Sequence, residues 1–259
     1  HSLGYDHVLY CITNEIQHAH SSHWSWYWAD FIKNYALDKG KEIEVTEMYW
    51  ATDLKDDQHK LSLDYPEVFS FFEASQNSAV SGEANWNNLQ YIRNYLYDNP
   101  RPINSVKIYG KTAEVKWPGT DDEAIERFWR NLLGGCASSR FHRNENGIYG
   151  LGFSEITRQS LIAARWMVEV FPPWDAKPCM QLLSEREENE VYASCSPARL
   201  CLYFPAGGEV RLDLSDFTNM TSVSWRNVIT GEAINSSLEV AGSVKIKSPD
   251  NGHWLAVIW

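Results

Sequence analysis

Between residue 1 and about 176, short apolar strands alternate with amphipathic helices, and after about 177 the hydrophobic period drops from 3.6 to 2. This change of period constrains the fold more than any motif does, because it sets an α/β region before an all-β region. Strands are predicted at 7–13, 42–48, 68–75, 103–109 and 136–142, with helices at 22–39, 86–97, 121–133 and from the Ser154 cap to about 170. Asp121, Asp122 and Glu123 suit a helix N-terminus, and Gly40 suits the end of the first helix. Five βα units in succession imply a parallel sheet with right-handed crossovers.

The break at Phe171-Pro172-Pro173-Trp174 places a domain boundary near residue 176, giving domains 1–176 and 177–259. Beyond it, strands are expected at 192–195, 200–204, 209–214, 222–227, 237–240, 243–247 and 254–259, separated by turns at 205–208, 230–232 and 249–252. Short strands without intervening helices suggest a small antiparallel β-sandwich.

Composition narrows the function classes. A net charge of −11 without a basic run excludes a phosphate-binding footprint, so nucleic acid is not an expected partner. No apolar run approaches the length of a membrane span. Twelve Trp in 259 residues exceed what a core of this size needs, and aromatic faces in clefts stack on sugar rings. The five cysteines show no CxxC or zinc spacing, although Cys195 and Cys201 are candidates for pairing. The chain opens on His1 without a Met or a leader segment, so a processed or excerpted chain is expected.

The first strand is not followed by a Gly-rich dinucleotide turn, which argues against a doubly wound sheet. Polar residues stand instead at the carboxyl ends of strands, where (β/α)₈ barrels place their sites: Asn14, Glu15, Glu47, Gln76, Asn77, Lys107 and His142. A carboxylate ending a buried strand is partly desolvated and suited to proton transfer, so Glu15 is the leading candidate catalytic residue. Hydrolysis of a glycosidic bond requires two carboxyl groups, and Glu47 is the expected partner, because adjacent strands lie about 4.8 Å apart. Glu73, inside its strand, reads as structural. Asn14, Tyr49, Trp50, Gln76, Asn77, Lys107, Tyr109 and His142 are the expected substrate-binding residues. His18, His20 and His23 lack the helical spacing and carboxylate of a zinc site, so neither a metal nor a cofactor is expected.

The run Val8-Leu9-Tyr10-Cys11-Ile12-Thr13-Asn14-Glu15 resembles the fourth strand of the retaining (β/α)₈ glycoside hydrolases, in which Asn-Glu ends that strand. With Tyr27-Trp28-Ala29, Glu44 to Met48, Arg127-Phe128-Trp129-Arg130-Asn131, Gly134-Gly135 and the tail from Tyr203-Phe204-Pro205 through Trp225 to Trp254-Leu255, the chain resembles more narrowly the apiosidase-like glycoside hydrolases. In that family a β-domain named for collagen binding follows the barrel. The resemblance implies that Glu15 is the acid/base, that the substrate is a carbohydrate, and that the protein is secreted or periplasmic. It also implies a fold made of the C-terminal part of the barrel, about strands 4–8, followed by the β-sandwich. The family's nucleophile is a Glu ending strand seven, whereas the corresponding stretch 103–109 contains Lys107 and no Glu. Because the resemblance begins at strand four, strands one to three are expected from a second chain or from closure of a homodimer. The alternative is a non-catalytic glycan-binding or assembly protein derived from such an enzyme.

Overall fold

The computed structural model describes residues 2–16, 22–108, 120–140, 154–217, 220–238 and 242–259. The chain divides into two compact units: His1–Val80 with Asn87–Lys107 and Cys136–Ser139, and Ser81–Trp86 with Ile108–Gly135 and Arg140–Trp259.

In the first unit, β1 (Leu9–Cys11) leads through α1 (Ser22–Leu37) to β2 (Glu44–Thr46), which pairs with it in parallel. A short α2 (Lys60–Leu63) precedes β3 (Phe72–Glu73), and α3 (Gly82–Tyr95) leads to β4 (Ile103–Ser105). After α4 (Asp121–Leu133), β5 (Ser138–Ser139) pairs in parallel with β4, as β4 does with β3. The Ser70 amide donates to the Val45 carbonyl at 2.9 Å, and Thr46 Oγ1 donates to Phe71 O at 2.7 Å, linking the end of β2 to the approach to β3. The expected parallel strands are thus present but short, two or three residues each. Strand pairing stops where polar residues bend the backbone away, as at Ser75, which opens a 3₁₀ turn (Ser75–Ala79).

Alternation sorts each strand by face. Tyr10 and Val45 pack with Ala29, Val68 and Phe69, and Phe72 and Ile103 pack with Leu54, Leu63, Leu89 and Ile92, so these side chains point to the helices. Glu73 and Asn104, one position further on, face the other way.

Helix α1 has three distinct sides, set by its 100° step per residue. Ala29 and Ala36 are fully buried, and Lys33 Nζ donates to the carbonyls of Glu67 and Val68 while Trp26 packs on Tyr65. On the flank opposite Lys33, Trp24, Trp28, Phe31 and Tyr35 are exposed, with Trp28 edge-on to both Trp24 and Phe31.

In the second unit, α4 carries a full capping box: Thr120 Oγ1 accepts from the Glu123 amide, and the Glu123 carboxylate accepts from the Thr120 amide. Helix α5 (Glu155–Val170) is capped by Ser154, as its sequence predicts. The strands that follow are β6 (Lys177–Pro178), β7 (Leu183–Ser184), β8 (Tyr192–Ser196), β9 (Arg199–Phe204), β10 (Glu209–Asp213), β11 (Ser222–Asn227), β12 (Ala233–Ser237), β13 (Ser243–Lys247) and β14 (Trp254–Ile258). They form an antiparallel six-stranded sheet, ordered β12-β11-β14-β9-β8-β6, and a three-stranded one, β13-β10-β7. Val210, Leu212 and Ile246 from the smaller sheet share a core with Leu202, Phe204, Trp225 and Trp254 from the larger. The larger sheet's other face, with Tyr192, Tyr203, Leu255 and Val257, packs with Phe128, Trp129, Ala163 and Met167 of α4 and α5.

Two expectations are corrected here. Of the strand expected at 237–240, residues 239–240 lie outside the described residues, and the described strand is Ala233–Ser237, because the turn closes tightly at Gly231, which takes a φ of 79°, and pairing resumes at Ala233 opposite Arg226. Cys195 and Cys201 do not pair: they sit on adjacent strands but face opposite sides of the sheet, Cys195 in the core between the sheets and Cys201 toward the helices. All five cysteines are free thiols.

Candidate functional site

Chain order separates Glu15 and Lys107 by 92 residues, yet the fold brings them together as an ion pair at the carboxyl ends of β1 and β4. Glu15 follows the strand at a φ of 59°, a left-handed conformation that costs a non-glycine residue about 1 kcal/mol or more. Ile16 then bridges in parallel to Tyr49, and the Ile16 amide donates to Met48 O at 2.9 Å. The turn that strains Glu15 is therefore pinned on its far side, and the carboxylate is aimed at Lys107.

A network of hydrogen bonds fixes the Lys107 end. Glu73 is buried and accepts from the Ser75 amide at 3.1 Å, from the Ser75 hydroxyl, from Asn104 Nδ2 at 2.6 Å and from the Val106 amide at 3.4 Å. Ser75 Oγ in turn accepts from the amides of Val106 at 2.7 Å and Lys107 at 3.1 Å. Burial raises the Glu73 pKa above the usual carboxylate range, opposed by these donors. Ser138 donates to Asn104 and extends the polar row across β5. Cys11, exposed on β1, donates from its Sγ to Thr13 O at 2.9 Å.

Glu47 is placed otherwise. Its carboxyl accepts from Ser62 Oγ of α2 at 2.9 Å, with Ser25 of α1 also hydrogen-bonded to it, so it is turned to the helices. It shares the parity of Val45, which packs on α1, and this one-residue alternation decides its side. Tyr49 goes with it, buried and edge-on to His59 at 6.4 Å. Burial pushes the Glu47 carboxyl up to about 7.

That shift has a consequence for stability. The folded state holds the Glu47 proton more tightly than the unfolded chain, so this group's contribution is full below about pH 4.5 and is lost as pH rises through about 7. Glu47→Gln is therefore expected to shrink the fall in unfolding free energy between pH 5 and pH 8 by about 2–3 kcal/mol, as urea unfolding would measure. An unchanged pH profile in the variant would refute the assignment.

Of the other expected residues, Trp50 is half exposed, and its amide donates to Ile16 O. Asn77 is buried and accepts from Asn88 Nδ2 at 3.2 Å. Gln76 is buried with no protein partner for its Nε2, and Thr13 Oγ1 at the end of β1 has none either. Asn14 sits beside Glu15 and is exposed. Tyr109, His142, His18 and His20 lie outside the described residues. Among the described residues, no group of three or more His, Cys, Asp or Glu is placed to hold a metal ion. Sequence reasoning missed Ser75, Asn104 and Ser138 and set Glu73 aside; the signal in the sequence was a polar residue directly after the apolar one in each strand, Glu73 after Phe72 and Asn104 after Ile103.

No protein-family model matches the sequence, and no curated protein does. Solved structures do match in fold. A family 5 glycoside hydrolase from Bacteroides vulgatus aligns with a TM-score of 0.61 at 11% identity, over 88% of this chain and 57% of its own. The α-amylase of Geobacillus thermoleovorans, complexed with acarbose, aligns at 0.57 and 10% identity, over 90% of this chain and 57% of its own. A further glycoside hydrolase aligns at 0.53 and 13% identity, over 67% of this chain and 46% of its own. At such identities the likeness is one of fold: α/β plus β, as in glycoside hydrolases. The chain spans about half the length of these structures.

Proposed function

We propose that this is a carbohydrate-active protein of the glycoside hydrolase type, with Glu15 as the acid/base acting on a glycosidic bond of a poly- or oligosaccharide. The observation that carries the reading is the convergence of Glu15 and Lys107 at the strand ends, with the polar atoms of Thr13, two residues before Glu15, and of Gln76, next to Ser75, left without protein partners. A strained carboxylate, a cation and polar groups awaiting partners suit a neutral hydroxylated ligand. In this reading β1 to β5 are the C-terminal part of a (β/α)₈ barrel, the two antiparallel sheets form a β-sandwich, the boundary near residue 176 divides them, and the protein acts outside the cytoplasm. Glu47 serves as a buried anchor between α1 and α2, and Glu73 is the carboxylate connected to Glu15, through Ser75 and Lys107.

One observation favours the second reading, glycan binding without turnover. Where a retaining enzyme needs a second carboxylate about 5–5.5 Å from the first, Glu15 is met by an ammonium group. Incubation with a panel of soluble polysaccharides, followed by chromatography of released reducing ends, separates the two. Release supports the hydrolase; retention on an affinity gel without release supports the binder; neither result overturns both.

The reading also includes a further parallel βα segment, supplied by a second chain or by a second copy of this one, laid along β1 and α1. Among the described residues β1 pairs only with β2, and the aromatic flank of α1 is exposed beside it. Native mass spectrometry is expected to find species above 29.8 kDa that the Phe31→Glu variant loses. A wild-type chain that stays at its own mass at tens of micromolar would remove this part of the proposal.

A further inference from the structure

We infer that Ser75, held by Glu73, is the positioning residue for the Lys107–Glu15 pair. This rests on the reading of Glu15 as the reacting carboxyl. Strand β4 ends at Ser105, and the two residues that follow have left the ladder, so their amides need acceptors from elsewhere. Ser75 Oγ supplies one acceptor to both, at 2.7 Å to Val106 and 3.1 Å to Lys107. A hydroxyl that accepts twice has one proton left to give, and it gives it to Glu73. Glu73 is then filled: two Ser75 donors, Asn104 Nδ2 and the Val106 amide all point to it. Every group in the chain from Glu73 to the Lys107 backbone therefore has one permitted donor–acceptor sense. That leaves Lys107 a defined start for its side chain, whose ammonium is mostly buried against Glu15.

Glu73 touches neither Glu15 nor Lys107 Nζ in this arrangement, so its role is indirect. It orients Ser75, and Ser75 orients the backbone from which Lys107 reaches across to β1.

The test is site-resolved acetylation of the folded protein with an N-hydroxysuccinimide ester, each lysine's rate being read by mass spectrometry. Exposed Lys55 is the fast reference, and Lys33, bonded to the Glu67 and Val68 carbonyls, is the unrelated slow control. In the wild type Lys107 should react slowly, and in Glu15→Gln faster. In Ser75→Ala it should react roughly tenfold faster than in the wild type, the factor by which losing one ordinary hydrogen bond raises an open population. Glu73→Gln keeps the side-chain shape but has one acceptor oxygen for four donors, so it should accelerate Lys107 as well. It serves if Ser75→Ala does not fold. Lys33 should not change in any variant; a general loosening would move both lysines together and overturn the inference. It is also overturned if Glu15→Gln speeds Lys107 while neither Ser75→Ala nor Glu73→Gln does. Failure of the hydrolase reading is a separate result: glycan turnover would be absent while the labelling pattern held.

Discussion

Glu15→Gln is expected to lower turnover of a glycosidic substrate by roughly 10²–10⁴-fold, the range general acid–base catalysis supplies. Glutamine keeps the length, one acceptor oxygen and the left-handed turn, so the ion pair becomes a hydrogen bond from the Lys107 ammonium to a neutral amide oxygen and the local backbone has no reason to move. Lys107, only 10% exposed, loses its counter-charge but keeps the amide oxygen as an acceptor, so the unfolding midpoint should fall by several degrees while the fold is kept. Loss of turnover with a retained fold and retained affinity for the glycan would establish a chemical role. Undiminished turnover would end the assignment, and affinity lost along with turnover would make Glu15 a binding residue. The measurement is kcat and KM on whichever glycan the wild type cleaves, alongside thermal unfolding of both proteins.

How much of this was legible in the sequence depends on the range of the interaction. Helices α4 and α5 match their expected bounds because cap, acidic first turn and apolar stripe all lie within one segment. The parallel strands were located but drawn too long, since apolar character continues past the residues that pair. The side on which Glu47 lies depends on a one-residue alternation that a strand of three residues, Glu44–Thr46, cannot declare alone. Lys107 was marked as polar at a strand end, but its partner, 92 residues earlier, is visible only in the folded chain. The aromatic residues at helical spacing in α1 are exposed, because spacing reports a stripe, not what covers it. Conversely Arg127, Arg130 and Asn131, which carried part of the family resemblance, are buried in α4, outside the candidate site.

Arg130 is the residue of that segment with the largest expected effect on stability. Its side chain is fully buried, with Nη1 donating to Glu126 Oε2 at 2.8 Å and to Asn189 Oδ1 at 3.0 Å, and Nε to Asn85 Oδ1 at 3.1 Å. Its guanidinium lies 5.5 Å from the centre of the Tyr192 ring, and Arg186, paired with Glu83, lies over the same ring at the same distance. Tyr192 donates to Asn189 at 2.6 Å and its pKa is raised by burial, so it has no charge of its own to offer. Replacing Arg130 with Met keeps most of the volume but strands Glu126, whose side chain is only 14% exposed, without its cation. An uncompensated buried charge of that kind costs about 3–5 kcal/mol, which should appear as a lowered urea midpoint for the second unit at pH 7. The double variant Arg130→Met/Glu126→Gln should recover much of the loss, because the penalty belongs to the orphaned carboxylate more than to the missing contact. A loss below about 1 kcal/mol, the size of an exposed pair, would mean that the network contributes little and that apolar packing on Trp129 and Tyr203 alone holds α4 to the sheet.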